Sequence, residues 1–232
     1  KKEEVTEMFD NISAKYDFLN HFLSLGIDHI WRRKAVKKLQ QLKPKRILDL
    51  ATGTGDFAIA LLALKPTQVI GMDISPGMLS VGKKKMLSKK VEHIIDMQLG
   101  DSENMPFDTA TFDAITVGFG VRNFENLEKG LAEMLRVLKP GGTAVVLEFS
   151  KPKAFPIKQL FAFYSNVMIP LFGKYISKDE RAYTYLPESV AAFPEGAAFE
   201  AVMNKVGFES KKTIRLSGGI ASIYLGQKPT AQ

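Results

Sequence analysis

Apolar and polar positions change rhythm once along this chain, near Arg46. Before it, Val5, Met8, Phe9 and Ile12 recur at intervals of three and four, the spacing of one helical face. Residues 31–42 form a basic amphipathic segment that Pro44 ends. After it, short apolar runs alternate with helical stretches. RILDLA (46–51), QVIGMD (68–73), IIDMQL (94–99), FDAITVG (112–118) and TAVVLEF (143–149) predict strands. Between them, 56–64 predicts one helix and 75–90 a second, with Ser75 as N-cap and Pro76 in its first turn. Leu127, Leu131, Leu135 and Leu138 stripe a third helix, which Pro140-Gly141-Gly142 stops. Strand and helix alternating in this way predict a parallel sheet covered on both faces. The rhythm breaks over 150–195, a lysine-flanked aromatic segment. A helix near 196–205 and the runs SKKTIRLS and GIASIYLG then predict a closing strand pair. The expected organisation is one α/β domain over 1–232, with an N-terminal helical region (1–43) and an inserted cap (150–195).

Composition narrows the class. A chain of 232 residues that is 45% hydrophobic and 25% charged has ordinary globular usage, which excludes collagen, a disulfide miniprotein and disorder. The absence of cysteine excludes thiolate metal sites and thiol nucleophiles, and fits a reducing cytoplasm. A formal charge of +7 favours an anionic surface or partner. The opening KKEEVTEMFDN is too charged for a secretory core, and no apolar run of membrane-spanning length occurs. His21, His29 and His93 show no metal-ligand spacing and are expected at the surface, so no metal is expected.

The first chemical signal is Asp49-Leu-Ala-Thr-Gly53-Thr54-Gly55-Asp56, at the carboxyl end of the first predicted strand. Glycines there let backbone N–H groups approach a ligand at a helix N-terminus, and the spacing also matches a loose dinucleotide fingerprint. The acids separate the two. Asp49 and Asp56 would repel a pyrophosphate, whereas they attract a ligand carrying an ammonium and a sulfonium. S-adenosylmethionine (SAM) has that character. Asp73 ends the second strand, 20 positions after Gly53, where a carboxylate accepts both ribose hydroxyls. Asp101 follows the third strand, placed for the adenine amino group, with the Ser102 N–H available to the ring.

These residues, with Met105-Pro106-Phe107, Phe112-Asp113 and Arg136-Val137-Leu138-Lys139-Pro140-Gly141-Gly142, resemble the motif series of class I SAM-dependent methyltransferases. More narrowly, the chain is similar to the C-methyltransferases of ubiquinone and menaquinone biosynthesis. Tyr16-Asp17-Phe18-Leu19-Asn20 running on to Leu23-Ser24-Leu25-Gly26 and Trp31 carries that likeness, as do Gly118-Phe119-Gly120-Val121-Arg122-Asn123 and Leu147-Glu148-Phe149-Ser150. Tyr183-x-Tyr185-Leu186-x-Glu188-Ser189 extends it almost to the end of the chain. The resemblance implies a Rossmann-like fold with a seven-stranded, mostly parallel sheet and helices on both faces. It carries SAM contacts onto Thr54, Asp73, Asp101 and Ser102, beside Asp49, Gly53, Gly55 and Gly118. Gly118 stands where some relatives have serine, so only backbone serves there. Leu19 and Asp28 stand where many relatives have methionine and histidine, with His29 displaced by one.

The same resemblance implies methyl transfer to a ring carbon of a prenylated naphthoquinol or benzoquinol. Such a carbon reacts once a neighbouring hydroxyl is ionised, so the protein must orient the ring and stabilise the phenolate. Arg122 and Asn123 are the candidates beside the methyl; guanidinium is too basic to accept a proton, so Arg122 is expected to stabilise the phenolate or orient a water, the other reading being a plain pair with a surface acid such as Glu125. Tyr16 and Asn20, one helical turn apart, are expected to close over the site. Residues 151–178 hold five lysines, no acid and six aromatics, which suits a cap resting on anionic lipid at the inner face of the cytoplasmic membrane. Two other readings remain: a methyltransferase for a sterol or fatty acid, and a nucleic-acid partner suggested by eight basic residues over 32–46. No recognised RNA-binding appendage accompanies that run, so nucleic acid is not expected.

Overall fold

The computed structural model describes residues 2–24, 26–164 and 181–230. Seven strands form one sheet: β1 (Arg46–Leu50), β2 (Gln68–Asp73), β3 (Ile95–Leu99), β4 (Phe112–Gly118), β5 (Leu138–Phe149), β6 (Glu209–Leu216) and β7 (Ala221–Gln227). Their order is β3-β2-β1-β4-β5-β7-β6. The first five pair in parallel, and β7 runs antiparallel to both β5 and β6. The expected closing pair is therefore present.

The helices described are α1 (Lys2–Ile12), α2 (Tyr16–Leu23), α3 (Ile27–Lys37), α4 (Asp56–Leu61), α5 (Pro76–Lys89), α6 (Leu127–Val137), α7 (Ile157–Phe163), α8 (Arg181–Ala192) and α9 (Ala197–Val206). Strand side chains alternate between two cores. Leu48, Leu50, Ile115, Val117, Ala144 and Val146 pack with Leu131 and Met134 of α6 and Phe199 and Met203 of α9. Ile47, Ala114, Val145 and Leu147 pack with Trp31 and Ala35 of α3, Phe57 and Leu61 of α4, and Leu79 and Met86 of α5. Cover on both faces is why these strands read as near-continuous apolar runs. Each fully buried large aliphatic side chain contributes about 1.5–3 kcal/mol.

The local signals act as expected at α5, where the Ser75 Oγ accepts from the Met78 N–H at 3.1 Å and Pro76 occupies the first turn. They mislead at α6. Leu138 completes the leucine stripe in sequence, yet it is the first residue of β5 and pairs with Phe112. Pro140 disfavours helical backbone at Lys139, so the chain turns extended two residues before it. Of the segment expected as an inserted cap, 165–180 lies outside the described residues.

Candidate functional site

The strand order reverses between β1 and β4, and a cleft opens there beyond the carboxyl ends of β1 to β4. The loop after β1 reaches it through left-handed backbone at Ala51 (φ 50°), Gly53 (φ 57°) and Gly55 (φ 88°). The loop is tied down by the Gly53 N–H, which donates to Asp73 Oδ2 at 2.8 Å. Asp73 Oδ1 accepts from the Ser75 N–H at 2.9 Å. Burial pushes the Asp73 carboxyl above its ordinary range, and the N–H bonds from Ser75 and Gly53 work against that rise.

Asp101 lies across the cleft. Its Oδ1 accepts from the Glu103 N–H at 2.9 Å and its Oδ2 pairs with Lys2 at 2.7 Å. Burial works to raise its pKa, but the Lys2 bond and the Glu103 N–H outweigh it and hold the carboxyl below the usual value. Among the described residues, Asp73, Asp101, Glu103 and Glu125 line the cleft against one basic residue, Lys2. An acidic wall with hydroxyl and amino acceptors fits a cationic sulfonium cofactor and opposes a pyrophosphate. Ser102, Gly53 and Gly118 also line it. A Cβ on Gly118 would lie 2.8 Å from the Phe57 ring, so a side chain here would have to displace that ring.

The far wall is the tight turn after β4. Phe119 has φ 59°, a strained value for an aromatic residue, and a Cβ on Gly120 would meet the Ala51 Cβ at 2.4 Å. Phe119 is wedged against Phe149 (centroids 4.5 Å apart) and Trp31 (6.1 Å), and Trp31 Nε1 donates to Ser217 Oγ at 2.9 Å. This packing fixes the turn that carries Arg122 and Asn123. Asn123 lines the cleft. Arg122 is committed to the protein: Nη1 donates to the fully buried Glu148 Oε1 at 2.7 Å and to the Phe119 carbonyl, and Nε donates to Ser189 Oγ at 3.2 Å. Its partner is thus a buried acid, not the surface Glu125.

The N-terminal helices close the cleft, with Val5, Phe9 and Tyr16 on its wall. Burial pushes the Tyr16 phenol up, opposed by the charges of Arg122 and Arg32. Asp10 Oδ1 accepts from the Gly77 N–H at 2.8 Å and from the Ser75 hydroxyl, fastening α1 to the start of α5. Asp17 bonds Thr54 and pairs with Lys85 at 2.5 Å, while Lys85 also reaches Asp56 at 2.8 Å.

Several residues expected at the ligand have their polar groups committed within the protein. Asp49 is fully buried beneath the loop, accepting from Thr52 and Thr116 hydroxyls at 2.6 Å each. Burial pushes its carboxyl up to about 6 despite those two bonds. Thr54 spends its hydroxyl on Asp17 and Lys85, and Gly55 makes room for Met86, whose Cε would lie 2.4 Å from a Cβ there. Asn20 sits one turn beyond Tyr16 on α2, half-buried and off the cleft wall. His21 is not a surface residue: it is half-buried, with Nδ1 on Asp28 at 2.9 Å and Nε2 on Asp56 at 3.2 Å. Ligand atoms of His21, Asp28 and His29 come within 4.8 Å of one another. The two rings stack at 4.3 Å, and Asp28 already holds Arg32, Ser24 and His21. Glu148, the partner of Arg122, had one visible signal, an acid inside an apolar strand run. The pairings of Asp10 with Ser75 and Gly77, and of Lys85 with Asp17, had none, because they join elements 65 and more residues apart.

The profile of the ubiE/COQ5 methyltransferase family matches residues 1–228. The demethylmenaquinone methyltransferase of Bacteroides fragilis is 50% identical over 98% of this chain and 94% of its own. That of Porphyromonas gingivalis is 43% identical over the same shares, and the ubiquinone/menaquinone biosynthesis C-methyltransferase UbiE of Geotalea daltonii is 46% identical over 98% and 97%. Among solved structures, the [4+2]-cyclase SpnF superposes with a TM-score of 0.73 at 16% identity, covering 100% of this chain and 98% of that one. A SAM-dependent methyltransferase of Thermotoga maritima, a possible histamine N-methyltransferase, gives 0.66 at 20% identity, covering 96% and 99%. The seven-stranded fold, the acid-walled cleft at its switch point and a match along almost the whole sequence agree, and the chain belongs to the ubiE/COQ5 methyltransferase family.

Proposed function

We propose that this protein methylates a ring carbon of a prenylated naphthoquinol, converting a demethylmenaquinol to a menaquinol with SAM as donor. The near-full-length likeness to the Bacteroides fragilis demethylmenaquinone methyltransferase carries this reading. Asp73 would take the ribose hydroxyls and Asp101, with the Ser102 N–H, the adenine edge. SAM supplies the methyl group as an electrophile. The chain has to hold the ring, keep water out and stabilise the ring oxygen as it ionises. Asn123 on the cleft wall touches that oxygen in this reading. Arg122 acts from behind through its charge, which already bears on Tyr16 across the cleft. Tyr16 and the α1 face close the opening.

A benzoquinol is the second substrate, favoured by the dual name of the Geotalea daltonii relative. Arg32 of the basic run is buried against Asp28, which removes it from any phosphate-binding face. The cap is proposed to rest on anionic lipid. No helix among the described residues is long and apolar enough to cross a membrane.

The decisive test is methyl transfer from labelled SAM to short-chain demethylmenaquinol, benzoquinol, sterol and fatty-acid acceptors, each with and without reductant. Methylation of the naphthoquinol only when it is kept reduced is expected, since the oxidised quinone has no hydroxyl to ionise. Equal turnover of the oxidised quinone would end the phenolate mechanism. Transfer to the sterol or fatty acid alone would end the quinol reading.

A further inference from the structure

α8 meets the β4 turn at two points one helical turn apart. The Tyr185 hydroxyl donates to Asn123 Oδ1 at 2.9 Å, and Ser189 Oγ accepts from Arg122 Nε at 3.2 Å. Ser189 is itself anchored by donating to the Leu186 carbonyl at 3.0 Å. Tyr185 is half-buried and off the cleft wall, whereas Asn123 is on it. A carboxamide has two faces, an acceptor and a donor, and a hydrogen bond to one decides where the other points. With Oδ1 taken by Tyr185, the Nδ2 group is the one left for the cleft. An amide donor there stabilises a ring oxyanion, while the reversed amide would repel it.

We propose that Tyr185 is a positioning residue for methyl transfer: its hydroxyl fixes the Asn123 carboxamide with Nδ2 toward the ionising ring oxygen, while Ser189 steadies Arg122 beside it. This rests on the reading that the quinol ring lies against Asn123. The cap thereby completes the site, because residues of α8 set the orientation of groups held on the β4 turn. Burial raises the Tyr185 phenol above its ordinary value, which keeps it a donor across the working pH range.

The test is steady-state methylation of reduced quinol by Tyr185→Phe, Asn123→Ala, Asn123→Asp and the Tyr185→Phe/Asn123→Ala double variant, with SAM affinity and thermal midpoint measured on each. Tyr185→Phe should lower kcat about 10-fold to 100-fold, the scale of one hydrogen bond to developing charge. KM for quinol, SAM affinity and the midpoint should hold. The double variant should be no worse than Asn123→Ala alone, because the tyrosine acts only through the amide. Asn123→Asp, which keeps the acceptor and removes the N–H donors, should fail as badly as Asn123→Ala. Additive losses, or a Tyr185→Phe effect confined to KM, would overturn the positioning role. Wild-type kcat in Tyr185→Phe beside an impaired Asn123→Ala would overturn it too. Wild-type rates in both Asn123 variants would instead remove Asn123 from the reacting ring, and this inference with it.

Discussion

Asp73 and Asp49 sit on neighbouring strands and behave in opposite ways. Asp73 accepts from the backbone N–H groups of Gly53 and Ser75 and lines the cleft. Asp73→Ala should weaken SAM binding by about 1.5–3 kcal/mol, the scale for hydrogen bonds to a charged group. Asp73→Asn, which keeps one acceptor for the loop, should lose less. Calorimetry finding wild-type affinity in both would remove the ribose from this carboxylate. Asp49 is fully buried and off the cleft wall, and burial lifts its carboxyl to about 6 from the ordinary 3.8. The folded state therefore binds more protons than the unfolded state between those values. Its stabilising contribution is complete below about pH 4 and is lost as pH rises toward 6, by about 3 kcal/mol in all. In Asp49→Asn that part of the pH dependence should disappear. Denaturant titrations from pH 4 to 7 read the difference, and parallel profiles for the two proteins would contradict it.

At the scale of elements, three of the exposed large apolar side chains among the described residues lie on or beside α7, the others being scattered over the surface. Phe155 is 81% exposed, Leu160 65% and Phe163 59%, with Lys151, Lys153 and Lys158 beside them. Large apolar side chains left in water next to cations suit an anionic lipid interface, although Glu195 also reaches this patch by accepting from the Lys151 N–H at 2.6 Å. Each lysine at such a surface contributes about 1 kcal/mol. Flotation with vesicles containing anionic lipid should recover the wild type and lose a variant with the three lysines changed to glutamine. Raised salt should release the wild type. Failure of the wild type to float would refute lipid attachment. Lys174, Lys178, Phe172 and Tyr175, which share the same run, lie outside the described residues. The N-terminal helices contrast with α7: their polar groups turn inward, through Lys2, Asp10, Asp17 and His21, onto the loops around the cleft.

Over the whole molecule, β2 and β4 coincide with their apolar runs, and α5 starts where its cap and proline place it. Such features depend on neighbours a few positions away, so one-dimensional spacing contains them. The acids and glycines at strand ends were equally legible, since a parallel sheet delivers every strand's carboxyl end to one edge. That logic brought Gly53, Asp73, Asp101, Ser102 and Gly118 to one cleft. It could not tell an acid that faces the ligand from one that faces the interior. Asp49 differs from Asp73 because Thr116 of the adjacent strand lies in register beside it, a pairing 67 residues away. Leu138 left its helix for the same kind of reason, a strand partner in Phe112. The charge on Arg122 was visible, but its destination on Glu148 and Ser189 depended on how β5 and α8 pack over the turn. Spacing along the chain was enough for the alternation of elements, the edge where the chemistry gathers and the residue types available there. The direction of each polar side chain came from packing, because a buried polar group needs a partner and the partners of Asp49, Asp10 and Arg122 lie in distant parts of the chain.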